Sequence, residues 1–239
     1  MSLPQPAPRT SLVIPAYNEE RRIGELFGGI RHFDGELIVV CDGSDRTPRV
    51  VEEIAAARPD LAIRCLKFPH RLGKGGGVKS GLLAATAPSI GFFDADGSTP
   101  VAEMERLFAL LGSADAVIGS RWMEGSDVVV RQDILRRIAS RGFNVIIRVL
   151  FGLRFTDTQC GAKVFRKEAL DAVLPEVVSA GFEFDVELLW RLERAGYTVV
   201  EAPIAWRNRG DSRVRSTDMA RMLLSLARVR FGAGRGRRS

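Results

Sequence analysis

Asp94 and Asp96 flank a single alanine directly after the apolar run Ile90-Gly91-Phe92-Phe93. Two carboxylates so spaced on a strand end can offer oxygen ligands to a hard divalent cation, and that cation can bridge a diphosphate. Asp-x-Asp alone is a common surface pattern. Its weight here comes from the strand before it and from Gly97-Ser98-Thr99-Pro100, which opens a helix after it. A second stretch, Leu72-Gly73-Lys74-Gly75-Gly76-Gly77-Val78-Lys79, invites comparison with phosphate loops. Lys74 precedes the glycine run, so the order required of a P-loop is not met. The glycines also follow the third strand rather than the first, unlike a dinucleotide fingerprint. Amides and a lysine near a diphosphate, and a flexible start to a helix, are equal readings of this segment.

Such residues need a frame. Short apolar runs at 11–15, 36–41, 61–66, 90–93 and 116–119 read as strands, and 19–30, 47–57, 73–85 and 101–111 read as helices between them. Pro48 suits a first helical position. Alternating strands and helices require crossover connections and a mostly parallel sheet, an α/β fold. Ligands of such sheets bind beyond the carboxyl ends of the strands. The polar clusters at 16–20, 42–45 and 94–98 occupy those ends and are expected to converge.

The chain has 239 residues, 46% apolar, with 35 Lys and Arg against 29 Asp and Glu for a net charge of +6. That is a soluble globular composition, sufficient for one large domain or two small ones. Cys41, Cys65 and Cys160 are widely spaced and odd in number, and only His32 and His70 accompany them. A disulfide framework and a zinc site are therefore not expected, and a reducing compartment is. Residues 1–10 are proline-rich, without the apolar centre of a secretory signal, and read as disordered. No run reaches the roughly 18–20 apolar residues of a membrane span; the longest, 145–155, is broken by Arg148 and Arg154. A cytoplasmic protein is expected.

The basic charge is concentrated. Residues 131–154 carry six arginines and one aspartate, residues 213–239 eight arginines and one aspartate, so the rest of the chain is net acidic. Both stretches are amphipathic. Ile134, Ile138, Val145 and Val149 fall at helical spacing, with Arg137, Arg141, Asn144 and Arg148 along another stripe. Met219, Met222, Leu223, Leu226 and Val229 oppose Arg221, Ser225 and Arg228, and a Gly-Arg-rich tail follows. Charge alone favours two ordinary surface helices; helices lying at an anionic membrane surface are the sharper reading. Nucleic acid is not expected as a partner, since aromatics are sparse here and no recognition motif is present.

Val13-Ile14-Pro15-Ala16-Tyr17-Asn18-Glu19-Glu20 resembles the opening of inverting family 2 glycosyltransferases, as does Val39-Val40-Cys41-Asp42-Gly43-Ser44-Asp45. Cys41 stands where that family commonly has the first of two aspartates, and Asp42 keeps the second. Within the family the sequence is most similar to the polyprenyl (dolichyl) phosphate glucosyl- and mannosyltransferases. The carriers are Lys74-Gly75-Gly76, Asp94-Ala95-Asp96-Gly97-Ser98-Thr99, Gly119-Ser120-Arg121, Asp157-Thr158-Gln159-Cys160-Gly161-Ala162-Lys163 and Phe184-Asp185-Val186-Glu187-Leu188, in order over residues 11–215.

The resemblance implies a GT-A, Rossmann-like fold: a mostly parallel central sheet flanked by helices, a catalytic domain over 11–215 that includes a helix at 131–150, and an amphipathic helix with a basic tail over 216–239. It implies that Pro15, Ala16, Tyr17 and Glu19 line the nucleotide pocket and that Asp42 binds the base. Asp94 and Asp96 would approach ribose, diphosphate and a Mg2+ or Mn2+ ion, with Lys74 beside the leaving diphosphate. Ser98 replaces the glutamine metal ligand frequent in the mannosyl branch. Arg121, Arg136 and Ser140 match acceptor-phosphate positions, with Arg137 as the alternative to Arg136. Gly210-Asp211-Ser212-Arg213 departs from the usual Gly-Ser-Lys of the closing loop.

The implied reaction moves a sugar, with inversion, from a nucleotide-diphospho-sugar to a polyprenyl or dolichyl phosphate at the cytoplasmic face of a membrane. UDP-glucose is favoured over GDP-mannose by the 157–163 segment. A phosphate monoester with a second pKa of about 6 is already anionic, so no strong base is required. Guanidinium groups that position it are what the chemistry needs. Asp96, Asp157 and Asp185 are the candidate catalytic carboxylates, Asp157 on the acceptor or metal side and Asp185 in reserve. Asp185 and Glu187 equally suit the first turn of a helix. Cys160 reads as a packed residue, and Trp190 and Trp206 as core. Competing readings are a family 2 transferase with a soluble hydroxyl acceptor and Asp185 as base, and a nucleotide-sugar-binding protein without turnover.

Overall fold

The computed structural model describes residues 8–112, 114–129, 134–207 and 216–232; within 134–151 and 216–232 the side chains described are those of 142, 144–151 and 221–232. Strands β1 (Thr10–Ala16), β2 (Glu36–Cys41), β3 (Ala62–Lys67) and β4 (Ser89–Phe92) pair in parallel. Helices α1 (Ile23–Gly28), α2 (Thr47–Ala57) and α3 (Gly73–Ala84) connect them. Every residue of β2 is buried, as both-face coverage demands. Alternate side chains serve opposite layers: Leu12, Ile14, Leu37 and Val39 join one core, Val13, Ile38 and Val40 the other.

Helix α4 (Val101–Leu110) leads to β5 (Ala116–Ser120) and the short β6 (Asp127–Val129). After α5 (Ile134–Phe151) comes β7 (Lys163–Arg166), which the sequence reading lacked. It runs antiparallel between β4 and β5, giving the sheet order β3-β2-β1-β4-β7-β5-β8, with β8 at Val199–Pro203. Because β7 is reversed, its first residue, Lys163, lies opposite Phe92 and Ile118 at the carboxyl ends of both neighbours. The loop 157–162 is thereby delivered to the edge where β4 and β5 end. Helices α6 (Lys167–Val173) and α7 (Phe184–Arg194) pack on the sheet, and β9 (Ala205–Arg207) pairs with β6.

Two helices differ from expectation. Helix α1 begins at Ile23 rather than residue 19, because the preceding turn binds the loop after β2. Asn18, with φ of 53°, accepts the Ser44 and Asp45 amides on Oδ1 at 2.9 and 3.3 Å. The amides of Glu19 and Glu20 donate to Thr47 Oγ1 and Asp45 Oδ2. In α8 (Ser216–Gly232), Met222, Leu226 and Val229 are core residues, packed with Ile118, Ile147, Phe151, Val186 and Trp190. Most of the apolar stripe of α8 is thus spent inside the protein, leaving Leu224 and Phe231 exposed. Helix α5 instead turns Val145, Ile146 and Val149 outward, Val149 at 81% exposure. Among the described residues no helix is long and apolar enough to cross a membrane.

Candidate active site

Two of the three polar clusters are bonded to each other, and the third follows β4, which pairs with β1. The turn after β1 is bonded to the loop after β2, as above. Asp94, after β4, faces the 157–163 loop closely: a Cβ on Gly161 would lie 1.9 Å from Asp94 Oδ2. Only glycine leaves that oxygen its place. Asp94 Oδ1 is 3.0 Å from Lys74 Nζ, and the same ammonium is 3.7 Å from Asp185 Oδ2. Asp185 Oδ1 is 2.6 Å from Lys163 Nζ, which also donates to the Cys160 carbonyl. Asp94, Lys74, Asp185 and Lys163 form one row of alternating charge reaching from the partly exposed Asp94 into the core. Burial by itself would raise the Asp94 carboxyl, but the Lys74 ammonium overrides it and holds Asp94 below the usual range. The same exchange holds Lys74 above its ordinary value, burial opposing and Asp94 and Asp185 prevailing.

The glycine run serves packing. The Gly75 and Gly76 amides donate to the Gly181 and Ala180 carbonyls at 3.1 Å each, so these two are taken within the protein. A Cβ on Gly75 would meet Phe184 Cβ at 2.4 Å, and one on Gly81 would meet Val13 Cγ1 at 2.2 Å. The glycines bring α3 against both β1 and the start of α7, which places Lys74 beside Asp94 and Asp185.

On the far side of Asp94, Arg121 follows β5. Its Nε and Nη2 donate to Asp157 Oδ2 and Oδ1 at 2.7 and 2.9 Å, and its amide donates to Oδ2 at 3.1 Å. Burial alone would raise Asp157, but Arg121 prevails and its carboxyl lies below the ordinary range. Asp157 is 0% exposed, with both oxygens on Arg121, so it reaches the cleft only through the guanidinium. Trp206 lies 5.5 Å and Trp122 5.8 Å from the Arg121 guanidinium carbon, so Trp206 is not the plain core residue expected. The loop is braced from β8: Glu201 accepts the Thr156 and Asp157 amides at 2.9 and 2.8 Å. The sequence held no signal for Glu201, since nothing near it marks a partner 45 residues earlier.

After β2, Asp42 is buried and Oδ2 accepts the Leu72 amide at 2.8 Å. Arg71 lies 4.3 Å over the Tyr17 ring, and Pro15 and Ala16 close β1 beside it. Glu19 is buried and turns its carboxylate onto Arg22 at 2.8 and 3.0 Å. The side chains of Arg136, Arg137 and Ser140 lie outside the described residues, as do residues 210–213, residues 1–7 of the N-terminal segment and the tail beyond 232.

Asp94 and Asp96 supply hard oxygen donors at one strand end, which suits Mg2+ or Mn2+. Asp96 Oδ1 accepts the Ser98 amide at 2.8 Å. Among the described residues no group of three or more His, Cys, Asp or Glu could hold a metal. The donor set therefore fits a cation shared with ligand oxygens rather than one held by protein alone. Burial pushes the Cys160 thiol up to about 12, which removes it as a nucleophile.

Residues 11–174 match the family model described as Glycosyl transferase family 2. Glycosyltransferase AglD of Haloferax volcanii is 35% identical over 90% of this chain, which spans about a third (35%) of that protein. Dolichyl-phosphate beta-glucosyltransferase ALG5C of Trichomonas vaginalis is 33% identical over 92% of this chain and 70% of its own length. Among solved structures, mannosyltransferase PcManGT from Pyrobaculum calidifontis, in complex with GDP-Man and Mn2+, superposes with a TM-score of 0.67 at 22% identity. That superposition covers 99% of this chain and 67% of the other, and it shows the shared mixed α/β fold with its mostly parallel sheet.

Proposed function

Since the chain belongs to glycosyl transferase family 2, we propose that it transfers a sugar from a nucleotide-diphospho-sugar to a polyprenyl or dolichyl phosphate, with inversion and a divalent cation, at a membrane surface. The observation that carries the acceptor class is the Arg121–Asp157 pair. A guanidinium fixed in bidentate register by a buried carboxylate keeps Nη1 outside that pair, and its charge also acts on the partly exposed Asp94 after β4. Such a group suits a phosphate that must be positioned without being quenched. The dolichyl-phosphate specificity in the name of the Trichomonas relative agrees. UDP-glucose is the favoured donor on that name, and GDP-mannose, bound in the Pyrobaculum structure, is the alternative.

Asp94 and Asp96 would hold Mg2+ or Mn2+, and a bound cation would supply charge neutralisation to the departing nucleoside diphosphate. Lys74 adds a cation at the same place, aimed by Asp94 and Asp185. Asp185 is 2% exposed and lies between two lysines, which speaks for a positioning role and against a base for a hydroxyl acceptor. Asp157 positions Arg121. The acceptor phosphate attacks the anomeric carbon from the face opposite the leaving group. Arg136, Arg137 and Ser140 of α5 are proposed as its further ligands. The outward Val145, Ile146 and Val149, with Arg148 among them, form the surface proposed to lie on lipid at the cytoplasmic face. The test is release of nucleoside diphosphate from a donor panel, with and without one short polyprenyl phosphate. Release that requires the lipid phosphate is expected; equal release with a soluble hydroxyl acceptor instead overturns the reading.

A further inference from the structure

Asn144 lies on α5, 4% exposed, on the buried side of the helix with Ile147 and Phe151. Its Oδ1 accepts the Thr158 hydroxyl at 2.8 Å. Thr158 is itself fully buried and follows Asp157, whose carboxylate clamps Arg121. One hydrogen bond thus links the helix that carries the outward apolar face to the loop that aims the guanidinium. The other half of the amide has no such use: Asn144 Nδ2 is buried and has no hydrogen-bond partner among the described residues. A buried donor without a partner is costly and uncommon, and a ligand oxygen that arrives later is one physical reason for keeping it. Asn144 follows Ser140 by one helical turn, so the backbone of α5 puts the two positions on one face.

We propose that Asn144 is an acceptor-side positioning residue: its Oδ1 keeps the Asp157–Arg121 pair in register with α5, and its Nδ2 is kept for an oxygen of the bound acceptor phosphate. This rests on the functional reading above and deepens it. Leucine or alanine at 144 would remove both halves. Aspartate keeps an acceptor for Thr158 but sets an anionic oxygen where the donor was, opposing a phosphate. Valine at 158 removes the tie and leaves Nδ2, while serine at 158 restores the hydroxyl.

The experiment uses the full chain with four variants, Asn144→Asp, Asn144→Leu, Thr158→Val and Thr158→Ser. Three quantities are read: the KM for a short polyprenyl phosphate, the KM for donor, and calorimetric binding of inorganic phosphate without donor. For Asn144→Asp we expect the acceptor KM to rise about tenfold and phosphate binding to weaken in parallel. Donor KM should stay within about twofold, while the melting temperature falls because the new carboxylate is buried without a counter-ion. Thr158→Val should raise the acceptor KM, and Thr158→Ser should restore it. If Asn144→Asp keeps the wild-type acceptor KM and phosphate affinity, or if the acceptor and donor KM values rise together, the proposal is overturned. Failure of the functional reading looks different, because wild-type protein then transfers nothing to polyprenyl phosphate. The proposal falls with it unless phosphate binding still separates wild type from Asn144→Asp.

Discussion

Lys163 and Asp185 meet at 2.6 Å with both side chains withdrawn from solvent. The pair joins the start of β7, the one reversed strand of the large sheet, to the first turn of α7. It continues through Lys74 to Asp94 at the cleft. Two charges in a protein interior are tolerated when each satisfies the other, and removing one strands its partner.

Lys163→Met should therefore destabilise the protein, by less than the roughly 3–5 kcal/mol of a fully stranded buried charge, because Lys74 stays 3.7 Å from Asp185. Urea unfolding measures it. Lys163→Met combined with Asp185→Leu should recover part of the loss. A single variant as stable as wild type would show that the pair contributes nothing.

Acid should act through Asp157. Its folded carboxyl lies below the ordinary aspartate value of 3.8, so its stabilisation is complete above that value and is lost as pH falls through the lower folded one. In Arg121→Gln the carboxylate is buried without its cation, so the penalty is largest at neutral pH and vanishes on protonation. The stability gap between wild type and Arg121→Gln should therefore narrow on going from pH 7 to pH 3. A constant gap in urea midpoints would contradict the assignment.

The thiols should separate by reactivity. Cys41 and Cys65 lie 3.7 Å apart across β2 and β3, and the hydrogen bond between them lowers the Cys65 thiol while raising that of Cys41. Cys160 is buried and raised to about 12. Iodoacetamide on native protein should label the half-buried Cys65 first and leave Cys160 untouched, as read by peptide mass spectrometry. Early loss of Cys160 would show the 157–163 loop to be open.

The frame around the site was legible in the sequence because its strands are continuous apolar runs and its polar clusters fall at their ends. Asp94 and Asp96 needed only that periodicity. Strand β7 was missed because Lys163-Val164-Phe165-Arg166 is four residues long and puts a lysine at its buried start. With it went the physical reason that residues 157–163 face Asp94. The stripe of α8 was legible as amphipathic, but periodicity cannot say whether an apolar face meets lipid or core. Met222, Leu226 and Val229 meet core. The partners of Asp157 and Asp185 are set by long-range contacts and left no local trace.

Helix α5 carries the membrane prediction. Val145→Asp with Val149→Asp should abolish co-sedimentation with anionic liposomes at low salt without lowering the melting temperature, because both side chains are exposed. Removing α8 is the poorer probe, since its apolar residues belong to the core. Undiminished sedimentation of the double variant would move the membrane contact elsewhere.

Transfer to a lipid phosphate is read from the lipid product itself. Full-length protein is incubated with UDP-glucose or GDP-mannose, a short polyprenyl phosphate and Mn2+, and the lipid fraction is weighed by mass spectrometry. A polyprenyl phosphate heavier by one hexose is expected, absent with excess chelator, absent with Asp96→Ala, and strongly reduced with Arg121→Gln. Sugar recovered on a soluble hydroxyl acceptor with the lipid phosphate unmodified, or full product formation in excess chelator, would contradict that expectation.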